Sequence, residues 1–141
     1  MDINELFLSQ EAESLLESGA WVGGIEEIPG VEFKVIGGTS RKFVAAINAK
    51  MSQARVKNKG RPLDNDEMGQ ITREAIGEVM ILDWRGLTNN GEPVPFDREL
   101  AKKWAHTRIK KSFKTVADLI AEAATKLDHD AQSFVEVAVK N

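Results

Sequence analysis

Cysteine is absent from this 141-residue chain. Disulfides, thiolate nucleophiles and cysteine-bound metals are therefore excluded at the outset. Nor does any apolar run approach the ~20 residues that a membrane helix needs. The opening Met1-Asp2-Ile3-Asn4-Glu5 is acidic, with no apolar stretch behind it. No secretory signal is expected from such a start, and a reducing cytoplasm is the expected location. Charge of one sign is missing from each of two adjoining blocks. Residues 1–32 carry eight acids (Asp2, Glu5, Glu11, Glu13, Glu17, Glu26, Glu27, Glu32) and no Lys or Arg. Residues 33–63 carry eight bases (Lys34, Arg41, Lys42, Lys50, Arg55, Lys57, Lys59, Arg61) and no acid. The net charge of −3 conceals this layout. Three readings fit it: nucleic-acid binding by the basic block, pairing of the blocks within one molecule, or head-to-tail contact between copies.

What is present is ordinary for a globular protein, with 42% hydrophobic and 29% charged residues. The length suits a single domain, 1–141, that buries a core without staples. An acidic helix is expected over 3–18, with Leu6, Leu15 and Leu16 as its apolar contacts and residues 1–10 loosely held. Val31, Phe33 and Val35 alternate with Glu32 and Lys34, the period-2 mark of a half-buried strand. Pro29-Gly30 suits a type II turn, so residues 21–37, beginning with Trp21 and Val22, read as a β-hairpin. Thr39 or Ser40 can cap the next helix. Phe43, Ile47, Met51 and Ala54 form one apolar stripe and predict a helix over 41–57. Asn58-Lys59-Gly60-Arg61-Pro62 breaks it. Asp64 with Glu67 forms a capping-box pattern, and Met68, Ile71, Ala75, Val79 and Leu82 predict a helix over 65–83. Asp97 caps a helix over 98–108 carrying Leu100, Ala101, Trp104 and Ala105. Phe113, Val116, Ile120, Ala123 and Leu127 predict another over 113–127. Asp128-His129-Asp130 interrupts it before a terminal helix over 131–138. The fold class is α+β: a helix-dominated domain with one N-terminal hairpin and four to five helices.

The segment 81–97 is the most informative. It interleaves Trp84, Leu87, Val94 and Phe96 with Gly86, Asn90-Gly91, Pro93 and Pro95. Such punctuation predicts a tight, fixed loop with its large side chains docked, either simply on the chain's own core or lining an exposed groove.

No catalytic constellation accompanies it. His106 and His129 lack convergent donors at metal-ligand spacing. No Ser or Thr has a His in the setting that activates a nucleophile. Gly23-Gly24 and Gly37-Gly38 match neither phosphate-loop pattern. Glu26 and Glu27, as neighbours on a strand, would point to opposite faces. The basic block lacks base-stacking aromatics, because Phe43 belongs to the apolar stripe. No enzyme activity, cofactor or metal is expected.

The loop and its flanks resemble the tail assembly chaperones of long-tailed bacteriophages. The resemblance rests on Trp84-Arg85-Gly86-Leu87-Thr88, then Asn89-Asn90-Gly91, then Pro93-Val94-Pro95-Phe96-Asp97. Upstream, Trp21, the Pro29-Gly30 turn, the basic helix and Gly60-Arg61-Pro62-Leu63 follow the same order. Downstream, Ala123-Ala124-Thr125, Phe134 and Lys140-Asn141 continue it. His106-Thr107-Arg108-Ile109-Lys110-Lys111 departs from the family, being more basic than the usual stretch there.

The resemblance implies a non-enzymatic role in the cytoplasm of an infected bacterium. Such a protein coats the long, apolar, helical tape-measure protein, helps recruit the major tail-tube protein and is absent from the finished virion. The genes of the family it resembles commonly make a second, longer product by frameshifting near the end of the short form, and Lys140-Asn141 fits the end of such a short form. On that reading Trp84, Leu87, Val94 and Phe96 shape the client groove or hold the loop that shapes it. Glu11, Glu13 and Glu17 would meet Arg55, Lys57 and Lys59 of the next copy in a weak head-to-tail oligomer. No membrane partner is expected. The alternative is a head–tail or tail connector subunit retained in the virion, and a third reading is an accessory protein that binds nucleic acid through residues 41–61.

Overall fold

The alternation of Glu32-Phe33-Lys34-Val35 becomes the central strand of a small antiparallel sheet. The computed structural model describes residues 1–140, with side chains as far as Val137. Asn141, the end of the Lys140-Asn141 pair, lies outside the described residues. Strand β2 (Glu32–Val35) is flanked by β1 (Ala20–Val22) and by β3 (Ile81–Arg85). Phe33 and Val35 point into the core, and Glu32 and Lys34 lie on the wetter face. On that face the Arg85 guanidinium pairs with Glu32 at 2.8 Å and lies 4.1 Å from the centroid of the Trp21 ring. The hairpin is shorter in strand than the 21–37 expectation, since residues 23–31 form its connection. The Pro29-Gly30 turn is there: Gly30 has φ 79, and the Val31 N–H donates to the Ile28 carbonyl at 3.2 Å. Glu26 and Glu27 consequently sit in that connection rather than on strand positions.

Capping chemistry places the helices. The expected 3–18 helix is two pieces, α1 (Ile3–Leu6) and α2 (Gln10–Ser18), because Ser9 is extended and its Oγ accepts from the Ala12 N–H. Ser40 caps α3 (Arg41–Lys57) in the same way through Phe43. Asp64 and Glu67 form a reciprocal capping box on α4 (Asn65–Ala75).

Beyond Ala75 the structure departs from the expected 65–83 helix. Ile76–Met80 is a π turn, and Ile81–Arg85 is strand β3. The helical stripe that runs through Val79 to Leu82 is overridden by pairing with β2, which sets Trp84 opposite Phe33. Two features accommodate the switch. A Cβ on Gly77 would lie 2.8 Å from the Lys102 Cα, so glycine lets α5 (Arg98–Trp104) approach the π turn closely. The Arg98 guanidinium then donates to the Gly77 and Ile81 carbonyls at 2.9 and 2.5 Å, where the helical ladder runs out.

Helix α5 stops at Trp104, short of the expected 108. The expected 113–127 and 131–138 helices are one, α6 (Val116–Lys140). Its start is set by Thr115 and Asp118, whose side chains each accept from the other's backbone N–H, at 3.1 and 2.9 Å. Phe113 stands outside it. Asp128 does not break the helix: its carboxylate accepts from the Gly38 N–H at 3.0 Å and the Thr39 hydroxyl at 2.8 Å, pinning the entry to α3. Helix α6 packs on α2, on β1 and β2, and on the π turn. The core between them holds Val35, Ile36, Ile76, Met80, Ile81, Ile120 and Leu127.

Candidate functional site

Loop 86–97 is built around a buried indole. Trp84 is 4% exposed, and its Nε1–H donates to the Val94 carbonyl at 2.9 Å. Its ring meets Phe96 edge-on at 4.9 Å, Trp104 in a stack at 5.1 Å and Phe33 at 6.3 Å. Asn90 and Gly91, with φ of 53 and 84, make the tight turn between β4 (Thr88–Asn89) and β5 (Glu92–Pro93). The Val94 N–H donates to Leu87 O at 2.9 Å and closes the loop. Gly86 has φ 93, and a Cβ there would strike the Gly30 carbonyl, so glycine locks this loop against the Pro29-Gly30 turn. Arg98 lies 5.0 Å from the centroid of the Phe96 ring, and burial pushes its pKa down. Trp84 thus lies in the core and is hydrogen-bonded to the loop. Leu87, Val94 and Phe96 are half-buried around it and leave only their outer edges to solvent.

Helix α3 is packed very differently. None of its 17 residues is fully buried. Phe43, Ile47, Met51 and Ala54 rest half-buried toward α4 and the π turn, whereas Val44 is 45% and Val56 80% exposed. Between α3 and α4 lies an open groove of about 560 Å³, with Ala54 and Ile71 on its apolar part and Gln53, Lys57 and Gln70 among its polar lining. Lys50 closes one end by pairing with Glu78 at 3.0 Å and Glu74 at 3.4 Å. Burial lowers the Lys50 pKa, but the two carboxylates outweigh it and the net direction is up.

The candidate self-association charges lie at separate places. Glu11 and Glu13 are exposed on α2, and Glu17 accepts from the Arg41 backbone N–H at 2.8 Å. Arg55, Lys57 and Lys59 project from the far end of α3, about 20 Å along its axis from Arg41. Among the described residues no ion pair joins residues 1–32 to residues 33–63, although Glu13 and Glu17 line one depression with Arg41 and Lys42. His106 accepts from the Arg73 guanidinium at 3.3 Å, and His129 is exposed mid-helix on α6. Among the described residues no three His, Asp or Glu side chains converge as metal donors, and no helix is long and apolar enough to cross a membrane.

Exposed apolar residues escaped the sequence reading in two places. Ile3, Leu6 and Phe7 stand out on the N-terminal segment, exposed by 66, 57 and 66%, so Leu6 is not the apolar contact expected of it. Phe113, 74% exposed, tips a basic turn. The basic run 108–111 was a signal for the second site, but the helical spacing of Phe113 with Val116 and Ile120 hid it.

The family model described as YdaY prophage protein matches residues 38–141, from the entry to α3 to the end of the chain. The chain belongs to the YdaY prophage protein family. It is thus a protein of bacteriophage origin. No curated protein and no solved structure matches it. In this YdaY family member the match takes in α3, the π turn and the Trp84 loop, and leaves out α1, α2 and the strands β1 and β2.

Proposed function

We propose that this prophage protein is a tail assembly chaperone. It binds the tape-measure protein in the host cytoplasm, keeps it soluble, helps recruit the major tail-tube protein and leaves before the virion is complete. Its work is non-enzymatic and needs no cofactor, and it associates weakly with itself. Phage origin and the ordered motifs around Trp84 support this reading.

The structural observation that carries it is α3. A 17-residue helix with an apolar stripe and no fully buried residue is under-packed for its own fold. Together with the groove beside α4 it offers an apolar strip to a partner helix, and burying such a strip contributes about 25 cal/mol per Å². Lys57 and Gln70 along the rim keep each contact weak and reversible, and many copies on one long client bind by avidity. The Trp84 loop is the brace behind this surface: it ties β3 and the π turn to α5, and the π turn packs against α3.

Capture of purified tape-measure segments by the immobilised chain tests the reading. The parent should retain them. Ala54→Arg, which fills the groove from a half-buried position, should lose them while its melting curve stays close to the parent's. Equal capture by both would remove the groove from the account.

A further inference from the structure

Residues 108–114 form a braced, basic turn with one aromatic at its tip. The Ile109 N–H donates to Lys114 O at 2.7 Å, and the Phe113 N–H donates to Ile109 O at 2.8 Å. A bridge between Arg108 and Thr115 closes the base. Phe113 is held at φ 61, a region costly for a bulky side chain, and its ring is 74% exposed. Arg108, Lys110 and Lys111 lie on the same turn, exposed and without an ion-pair partner among the described residues. Strain that presents a greasy ring in a positive field calls for an occupant that is both apolar and acidic.

The chain carries such a segment itself. Residues 1–13 hold Asp2, Glu5, Glu11 and Glu13 with no base, and Ile3, Leu6 and Phe7 are exposed beside them. The two surfaces cannot meet within one molecule. The Ser9 N–H donates to the Gln132 side chain at 3.2 Å, which seats the N-terminal segment along the later part of α6. The basic turn immediately precedes Val116, about 24 Å away along the helix axis at 1.5 Å per residue.

We propose that the basic turn of one copy receives the N-terminal segment of a second copy, Phe113 packing against Ile3 and Phe7 while Lys110 and Lys111 face Glu5. This rests on the self-association proposed above and gives it a different basic face, the 108–114 turn in place of Arg55, Lys57 and Lys59. Because the two halves of the contact lie toward opposite ends of α6, the contact is heterologous and adds copies head to tail, into an open chain or a closed ring according to the rotation between copies. Contacts of this mixed kind weaken with salt through their charged rim.

Sedimentation velocity of the full chain over a concentration series tests it, with Phe113→Ser and Phe7→Ser as variants. Both side chains are exposed, so thermal melting should match the parent. The parent should grow with concentration, and each variant alone should associate about tenfold more weakly or less, the scale of losing one interface anchor. Mixing the two variants should give dimers that grow no further, because each supplies one intact face. Monomers in that mixture would overturn the proposal. So would parent-like growth of both variants. If that growth is instead lost in Arg55→Glu with Lys57→Glu, self-association stands and only this interface falls. A parent that stays monomeric at every concentration would remove both.

Discussion

The Trp84 and Trp104 rings stack with centroids 5.1 Å apart and planes inclined by 29°, joining the end of β3 to the end of α5. The same Trp84 side chain donates to Val94 O, so one residue closes the loop, the strand and the helix onto each other. Trp84→Ala should therefore destabilise the fold by about 3–5 kcal/mol, the range for removing a buried aromatic. Trp84→Phe keeps much of the packing but leaves the Val94 carbonyl unpaired, and should cost about 1–3 kcal/mol. Denaturant titration of both variants checks the order.

Asp128 accepts from the Gly38 and Thr39 backbone and from the Thr39 hydroxyl, across separations of 90 and 89 residues in sequence. Asp128→Ala leaves those donors without their acceptor and should cost about 1–3 kcal/mol. Hydrogen exchange should rise first at the start of α3. Unchanged protection there would show that the contact does not hold the helix entry.

Gly77→Ala should be far worse than an ordinary helical Gly-to-Ala change, which tends to stabilise. The new methyl would lie 2.8 Å from the Lys102 Cα and 3.0 Å from the Ala101 carbonyl, both backbone. The expected loss is about 1–3 kcal/mol, as for overpacking elsewhere. A melting curve with Gly69→Ala as the comparison separates crowding from helix propensity, since at Gly69 the nearest atoms belong to the flexible Arg73 side chain.

These three sites also show how far the sequence could be read. Local signals were legible: Asp64 with Glu67, Ser40 and Asp97 as caps, and Pro29-Gly30 as a turn, because each acts within three or four residues. The end of the 65–83 stripe was not. Ile81–Arg85 becomes strand only through pairing with β2, some fifty residues away in sequence, and a helical spacing through Leu82 carries no trace of that partner. Asp128 misled for a similar reason. A polar triplet resembles a break until its acceptor role for Thr39 is seen. The Trp84 loop was legible as a docked loop, but which side of it faced solvent was decided by Phe33, Phe96 and Trp104 meeting in space.

The ion pairs at Glu32 and at Lys50 give stability opposite pH dependences. The Arg85 hydrogen bond, more than its charge alone, holds the Glu32 carboxyl below its ordinary value. That contribution is present above the ordinary carboxylate pKa and is lost as pH falls through the lowered one. Lys50, raised by Glu78 and Glu74 against the opposing effect of burial, contributes below the ordinary lysine pKa and loses that contribution as pH rises through the raised one. Glu32→Gln should flatten the acid limb of a melting-temperature profile, and Lys50→Met the alkaline limb. If each variant merely lowers the whole profile without changing its slope, the assignments are wrong.

Retention in the particle separates the chaperone from a connector. Mass spectrometry of purified virions should find the tail-tube and tape-measure proteins without this chain. Its presence in stoichiometric amounts would favour the connector reading.

The most direct measurement is light scattering of a purified tape-measure fragment as it is diluted from denaturant, with and without this chain. The account predicts that scattering falls as the chain is added, that the two proteins co-elute afterwards, and that Ala54→Arg fails to suppress it. Aggregation that proceeds at the same rate and extent with any amount of the chain would contradict it.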